Sequence, residues 1–277
     1  MASPITGIDH VLVGVTDLEG SRATYQRLGF TLTPRGRHKG RNTGNYCIMF
    51  GGDYIELLGI VDDDPNTADD LFTQGLTDFL ATRGEGLSGL ALAGDDADAT
   101  YAAFIAAGVE TDPPRALSRL LELPEGTVEP RFTLVHTPPE TFPGARFFVC
   151  HHLTPELIRR PGWVEHANGV TRIVALSAAA DDVPAVARAC AGVFGEDAVT
   201  ADGDRYAVVL GGGATMHLAP ATATMTPGLT TLTMAVKDPA ATAACLDGAG
   251  VPYQRDGDDL TVAPEFACGA GLVFTSA

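Results

Sequence analysis

Short apolar runs alternate with alanine-rich helical stretches in one order that recurs along the chain. Ile8 to Val13 reads as a strand, carrying a single histidine, His10. Thr16-Asp17-Leu18-Glu19 has the form of a capping box, so a helix is predicted through Tyr25 and Leu28 to a C-terminal cap at Gly29. Strands are then predicted at Phe30 to Thr33, around Tyr46 to Phe50, and at Tyr54 to Leu58. A basic loop, Arg35 to Arg41, separates the first two. The unit is strand, helix, then three strands.

The same order returns three times. Strands open at Leu87, Val170 and Leu229, each followed by a helix introduced by aspartate: Asp95-Asp96, Asp181-Asp182 and Asp238-Pro239. Gly7-Ile8-Asp9-His10 aligns with Gly86-Leu87-Ser88-Gly89, Gly169-Val170-Thr171-Arg172 and Gly228-Leu229-Thr230-Thr231. Gly51 to Glu56 aligns with Gly211 to Met216, with His217 one place on. Repetition on this scale predicts an α+β protein of four βαβββ modules. One module leaves a face of its sheet open, so the modules should pair into two cups. The first pair is expected to span 1–153, with an acidic then helical insertion at 62–86. A connector at 154–168 leads to a second pair at 169–277.

Composition narrows the partners. The net charge is −17, and Lys39 and Lys237 are the only lysines, which argues against nucleic acid or an anionic membrane as a partner. Five scattered cysteines without a CxxC motif suit a reducing compartment. No export signal and no membrane-spanning apolar run is visible, so a cytoplasmic protein is expected. Four modules in one chain are compatible with a monomer or a homodimer.

Two ionisable groups stand out, because His10 and Glu56 sit alone on otherwise apolar strands. Burying either requires a partner, which is a divalent metal or a hydrogen-bonded pair. The order of modules, with Gly7-Ile8-Asp9-His10-Val11, Tyr54-Ile55-Glu56-Leu57-Leu58, Cys150-His151-His152-Leu153-Thr154-Pro155-Glu156-Leu157 and Trp163 to Gly169, resembles the vicinal oxygen chelate superfamily and, within it, the glyoxalase-like group. The resemblance covers residues 5–170 well and the rest weakly.

It implies metal ligands on the first and last strands of each module in the first pair. His10 and Glu56 match two such positions, Gly89 cannot serve, and His152 is taken over its neighbour His151 as the third. Iron, manganese, zinc, nickel or cobalt would each suit two imidazoles and a carboxylate. In the second pair Arg172, Thr231 and His217 make a metal site improbable.

Other residues carry two readings each. His166 is a candidate acid or base held over the cup, or a hydrogen-bonding residue of the connector. Glu156 is a candidate partner for a ligating histidine, or a turn cap. Arg37 and His38 are candidates for binding an anionic group, or members of a solvated loop. Tyr54, Asn45, Cys150 and Trp163 are candidates for lining the substrate cup. Asp202-Gly203-Asp204 and Asp256 to Asp259 read as hairpin turns rather than calcium loops. The function expected is metal-dependent isomerase, lyase, ring-opening or dioxygenase chemistry on a small molecule with adjacent oxygens. The competing expectation is a protein that sequesters a small molecule without catalysis.

Overall fold

The computed structural model describes residues 3–61, 71–138, 141–142, 144–223 and 225–277. The first module comprises β1 (Ile5–Val15), α1 (Leu18–Arg27), β2 (Gly36–His38), β3 (Thr43–Met49) and β4 (Tyr54–Ile60). Helix α2 (Leu71–Arg83) precedes the second module, which comprises β5 (Gly86–Gly94), α3 (Ala97–Ala106), β6 (Arg115–Leu123), β7 (Gly126–Val128), β8 (Arg131–His136) and β9 (Arg146–His152). The third has β10 (Val170–Ala180), α4 (Val183–Phe194), β11 (Val199–Asp202), β12 (Arg205–Gly211) and β13 (Ala214–Pro220). The fourth has β14 (Gly228–Val236), α5 (Pro239–Gly248), β15 (Gln254–Asp256), β16 (Asp259–Val262) and β17 (Gly271–Ser276). The acidic residues 62–70 of the expected insertion lie outside the described residues.

Each module's helix begins in the same way. The carboxylates of Asp17, Asp96, Asp182 and Asp238 accept from the backbone N–H of Gly20, Ala99, Ala185 and Ala240, at 3.0, 2.9, 2.9 and 2.8 Å. An N-cap aspartate satisfies one of the free donors of the first turn and meets the positive end of the helix dipole. The expected Thr16–Glu19 box does not form. Thr16 donates instead to Glu85, and Glu19 accepts from the Tyr46 hydroxyl.

Nine strands form the first sheet in the order β2-β3-β4-β1-β5-β9-β8-β6-β7, and a further pairing of β2 with β6 closes it into a barrel. The closing strand falls within the stretch expected to be a basic loop. Gly36 pairs with Asn45 on one side and Leu121 on the other, while His38 pairs with Arg119. Residues 30–33, expected as a strand, are not one. Phe30 instead packs against Tyr25, Phe50 and Phe274, and this burial competes with sheet pairing. The second sheet has eight strands, β11-β12-β13-β10-β14-β17-β16-β15, and among the described residues its edge strands do not pair, leaving it open.

One apolar cluster runs between the outer faces of both sheets and the helices, so Tyr25, Leu28 and Phe30 share a core with Leu246 and Phe274. A second cluster fills the barrel interior, including Leu12, Met49, Leu121, Phe148 and Ile158. The connector supplies Ile158 to it, and Trp163 and Val164 pack against it. Asn168 locks the connector in place: its side chain donates to Leu28 O (2.9 Å) and accepts from Val170 N (3.2 Å), while its carbonyl accepts from Thr242 Oγ1 (2.7 Å). Among the described residues no helix is long and apolar enough to cross a membrane.

Candidate metal and active site

Strand alternation would send neighbouring Asp9 and His10 to opposite faces. A bulge in β1 prevents this. Ile8 pairs with Leu92 and His10 with Ala91, so Asp9 is an extra residue with no place in the ladder. Both side chains are consequently buried, at 2% and 4% exposure. Asp9 Oδ1 lies 2.6 Å from His10 Nδ1, and the other ring nitrogen, Nε2, lies 3.2 Å from Glu56 Oε2. Tyr54 stacks on the ring at 4.5 Å and Phe148 meets it edge-on at 5.7 Å. The imidazole is fixed on every side.

Glu56 is fixed in turn. Its Oε1 accepts from Asn45 Nδ2 at 2.6 Å, and Asn45 Oδ1 accepts from Arg119 Nη1 at 3.1 Å. His38 Nε2 lies 3.7 Å from the same carboxylate oxygen, with its Nδ1 2.9 Å from Thr43 Oγ1. The closing pair of strands therefore brings His38 and Arg119 to the Glu56 carboxylate. Gly36 makes this possible, because a Cβ there would stand 2.1 Å from Asn45 Oδ1 and 2.4 Å from Arg119 Nη1.

The opposite end of the chain of contacts begins at His152. Its Nε2 lies 2.8 Å from Asp9 Oδ2, and its ring meets Phe132 edge-on at 4.9 Å. Cys150 is on the same face of β9, two residues away, and is 3% exposed. These residues line a cavity of about 440 Å³ between the sheets, together with Asp53, Arg159 and Gly212. A larger cavity, about 1020 Å³, lies beside α2 and is lined by Phe72, Arg83, Arg115, His136 and Arg146.

Charge follows from these contacts. Burial alone would push the Asp9 and Glu56 carboxyls up, but the surrounding histidines hold Asp9 well below the usual carboxylate range. The histidines, Asn45 and Arg119 hold Glu56 down in the same way. Burial lowers His38 to about 4, so its ring is neutral near pH 7. Arg119 reaches the Glu56 side of this chain through Asn45, and a cation would offset the negative charge left by the two buried carboxylates.

Several expected residues lie elsewhere. His166 is not over the cup: its Nε2 bonds to Met49 O (2.9 Å), its Nδ1 accepts from Thr31 N (3.1 Å), and Phe30 and Phe50 enclose it on the outer side of the barrel. With both nitrogens engaged it is a structural staple. Glu156 is exposed on a 3-10 turn, Pro155–Leu157. Trp163 lies under the Arg160 guanidinium at the margin of the inner cluster. His38 is neither a solvated loop residue nor exposed to an incoming anion but is buried inside the barrel; Arg37, beside it on β2, is half-buried. His151 points away from His152, buried beside the Gly94 backbone. His217 is exposed on β13. Asp9 was not among the expected site residues. Its signal was an acidic residue within an apolar strand, obscured by the assumption of regular alternation.

The donor chemistry suits a divalent ion at His10 and Glu56. Asp9 occupies Nδ1 of His10 and so leaves Nε2 as the ligating nitrogen, with Glu56 Oε2 beside it. His152 does not stand with them, because its Nε2 is turned to Asp9. Among the described residues, the one group of three donors within 4.8 Å of one another is Asp9, Cys150 and His152.

Paired βαβββ modules with a barrel-like cup define a protein of the vicinal oxygen chelate type. The chain belongs to the glyoxalase-like domain family, whose sequence profile matches residues 8–194. No curated protein matches it in sequence. Its fold is similar to a hypothetical protein from Staphylococcus aureus, with TM-score 0.71, 14% identity, and coverage of 98% of this chain and 99% of that one. It is also similar to a variant of 4-hydroxymandelate synthase from Streptomyces coelicolor, with TM-score 0.62, 15% identity, and coverage of 99% and 94%. A third likeness is to a xylose isomerase-like TIM barrel/4-hydroxyphenylpyruvate dioxygenase fusion protein, with TM-score 0.63 and 15% identity, in which all of this chain matches 50% of that one. At these identities the likeness establishes the fold.

Proposed function

We propose that this protein is a metal-assisted enzyme acting on a small organic molecule with two neighbouring oxygens, and that His10 and Glu56 hold the ion. The observation that carries this reading is the His10 ring clasped between Asp9 and Glu56 inside the barrel, on the first and last strands of one module. When bound, a divalent ion supplies Lewis acidity that stabilises negative charge on a substrate oxygen.

The chain's own residues do the rest. Asp9 fixes the tautomer and plane of His10. Asn45, backed by Arg119, holds Oε1 of Glu56 and so turns Oε2 towards His10. His38 is neutral near pH 7 and stands beside Glu56, adding no charge to the site. The likenesses to 4-hydroxymandelate synthase and 4-hydroxyphenylpyruvate dioxygenase support starting substrate trials with oxygenated organic acids, for dioxygenase as well as isomerase or lyase chemistry.

The test is elemental analysis of protein purified without chelators, beside His10→Ala and Glu56→Gln. The expected result is one equivalent of divalent metal fewer in each variant than in wild type. Equal metal in all three would overturn the reading, and a wild type that neither holds nor takes up metal would favour a sequestering protein.

A further inference from the structure

We propose a second, distinct metal site, formed by Asp9, Cys150 and His152 and opening on the cavity between the two sheets. It does not depend on an ion at His10 and Glu56. Three features assemble it. The β1 bulge turns Asp9 inward, as described. Strand periodicity puts Cys150 and His152 on one face of β9. Between β1 and β9 runs β5, which at this level carries only small residues, with Gly7 paired to Ala93 and Ala93 paired to Cys150. Nothing on β5 blocks the approach of the side chains above it, and Asp9 reaches His152 at 2.8 Å.

The three donor atoms lie within 4.8 Å of one another, and Asp9 and Cys150 are buried. A hydrogen bond between Asp9 and His152 alone does not account for the cluster, because the second ring nitrogen of His152, Nδ1, is buried without a partner. An unpaired buried polar atom is costly, and recurs where a ligand completes the site. The cavity lining is rich in glycine, with Gly7, Gly52, Gly94, Gly211 and Gly212 beside Asp53, Asp95, Arg159 and Ile173. That leaves room for water or an oxygen ligand beside three protein donors.

Thiolate, imidazole and carboxylate together select a borderline-soft divalent ion, zinc in a four-coordinate site with one position open. Calcium and magnesium, which want oxygen alone, are disfavoured. On binding, the Cys150 proton is released to solvent and the sulfur coordinates as thiolate. His152 is thereby assigned as a metal ligand with partners other than His10 and Glu56.

Cobalt(II) titration of metal-stripped, full-length protein tests this, because a cysteine thiolate bound to cobalt gives a near-ultraviolet charge-transfer band that imidazole and carboxylate do not. The expected result is a saturable band in wild type and in Glu56→Gln, displaced by zinc, and absent in Cys150→Ser. His152→Gln should weaken cobalt binding at least tenfold while keeping the wild-type melting temperature without metal, which separates ligation from folding. No band in wild type, or a band that survives Cys150→Ser, overturns the proposal. Loss of the band in Glu56→Gln would also overturn it, by showing one shared site. Failure of the His10–Glu56 reading leaves the Cys150-dependent band unchanged, so the two proposals fail separately.

Discussion

Asp53 makes the contact between the sheets depend on pH. It lies in the turn before β4, and both of its carboxylate oxygens accept from the backbone N–H of Ile173 in the second sheet, at 3.2 and 3.3 Å. Burial raises its carboxyl from 3.8 to about 7, against the opposing effects of the Ile173 N–H and Arg172. Between those two values the folded chain holds a proton that the unfolded chain has released. Stability therefore falls as pH rises through this interval. The contribution is complete below pH 4 and lost above pH 7. At about 1.36 kcal/mol per pH unit the upper bound is roughly 4 kcal/mol, and partial exposure of the side chain reduces it to about 1–3 kcal/mol.

Asp53→Asn keeps an oxygen to accept from Ile173 but cannot ionise. Urea unfolding of both proteins in chelator, from pH 4.5 to 8.5, isolates this group, because every other titrating group is common to the two. The stability of wild type relative to the variant should drop by about 1–3 kcal/mol across the range, with the change centred near pH 6. A difference that stays constant with pH would refute the reasoning.

Two further substitutions probe the scaffold. Asn168→Ala should cost about 2–4 kcal/mol in urea unfolding, because it leaves the Leu28 carbonyl and the Val170 N–H buried without their partner; a loss below about 0.5 kcal/mol would show that the connector is not held there. Arg119→Met should cost about 3–5 kcal/mol, since it removes the buried positive charge near Glu56 and the anchor of Asn45. Unchanged stability in that variant would mean that the barrel interior tolerates the uncompensated charge.

What could be read in the sequence was local. Three of the four aspartate caps and the glycines that end the helices mark the modules, because capping is decided within a few residues; in the first module the cap is Asp17 in place of the expected Thr16 box. His10 and Glu56 could be singled out because an ionisable group within an apolar strand is conspicuous wherever the strand lies. What could not be read was set by distant pairing. Nothing near Arg119 indicates that β6 will meet β2, and the arginine-rich stretch around His38 looked like a surface loop until that pairing buried it. Asp9 was missed because a bulge is invisible to a period-two count. The place of His166 was likewise set by distant contacts: the Met49 carbonyl and the Thr31 N–H hold its ring on the outer side of the barrel, while Ile158 of the same connector enters the interior.

The bulge in β1 has a twin. In β10, Ile173 pairs with Met234 and Ala175 with Thr233, leaving Val174 as the extra residue at the position corresponding to Asp9, three places on from the match the glycines suggested. Both halves of the molecule thus retain the same kink in the main chain, although only one half places acid and imidazole on it. On a backbone kinked in this way, a site can be gained or lost by exchanging side chains alone, with no change of register: Val174 and Ala175 stand where the first half has Asp9 and His10.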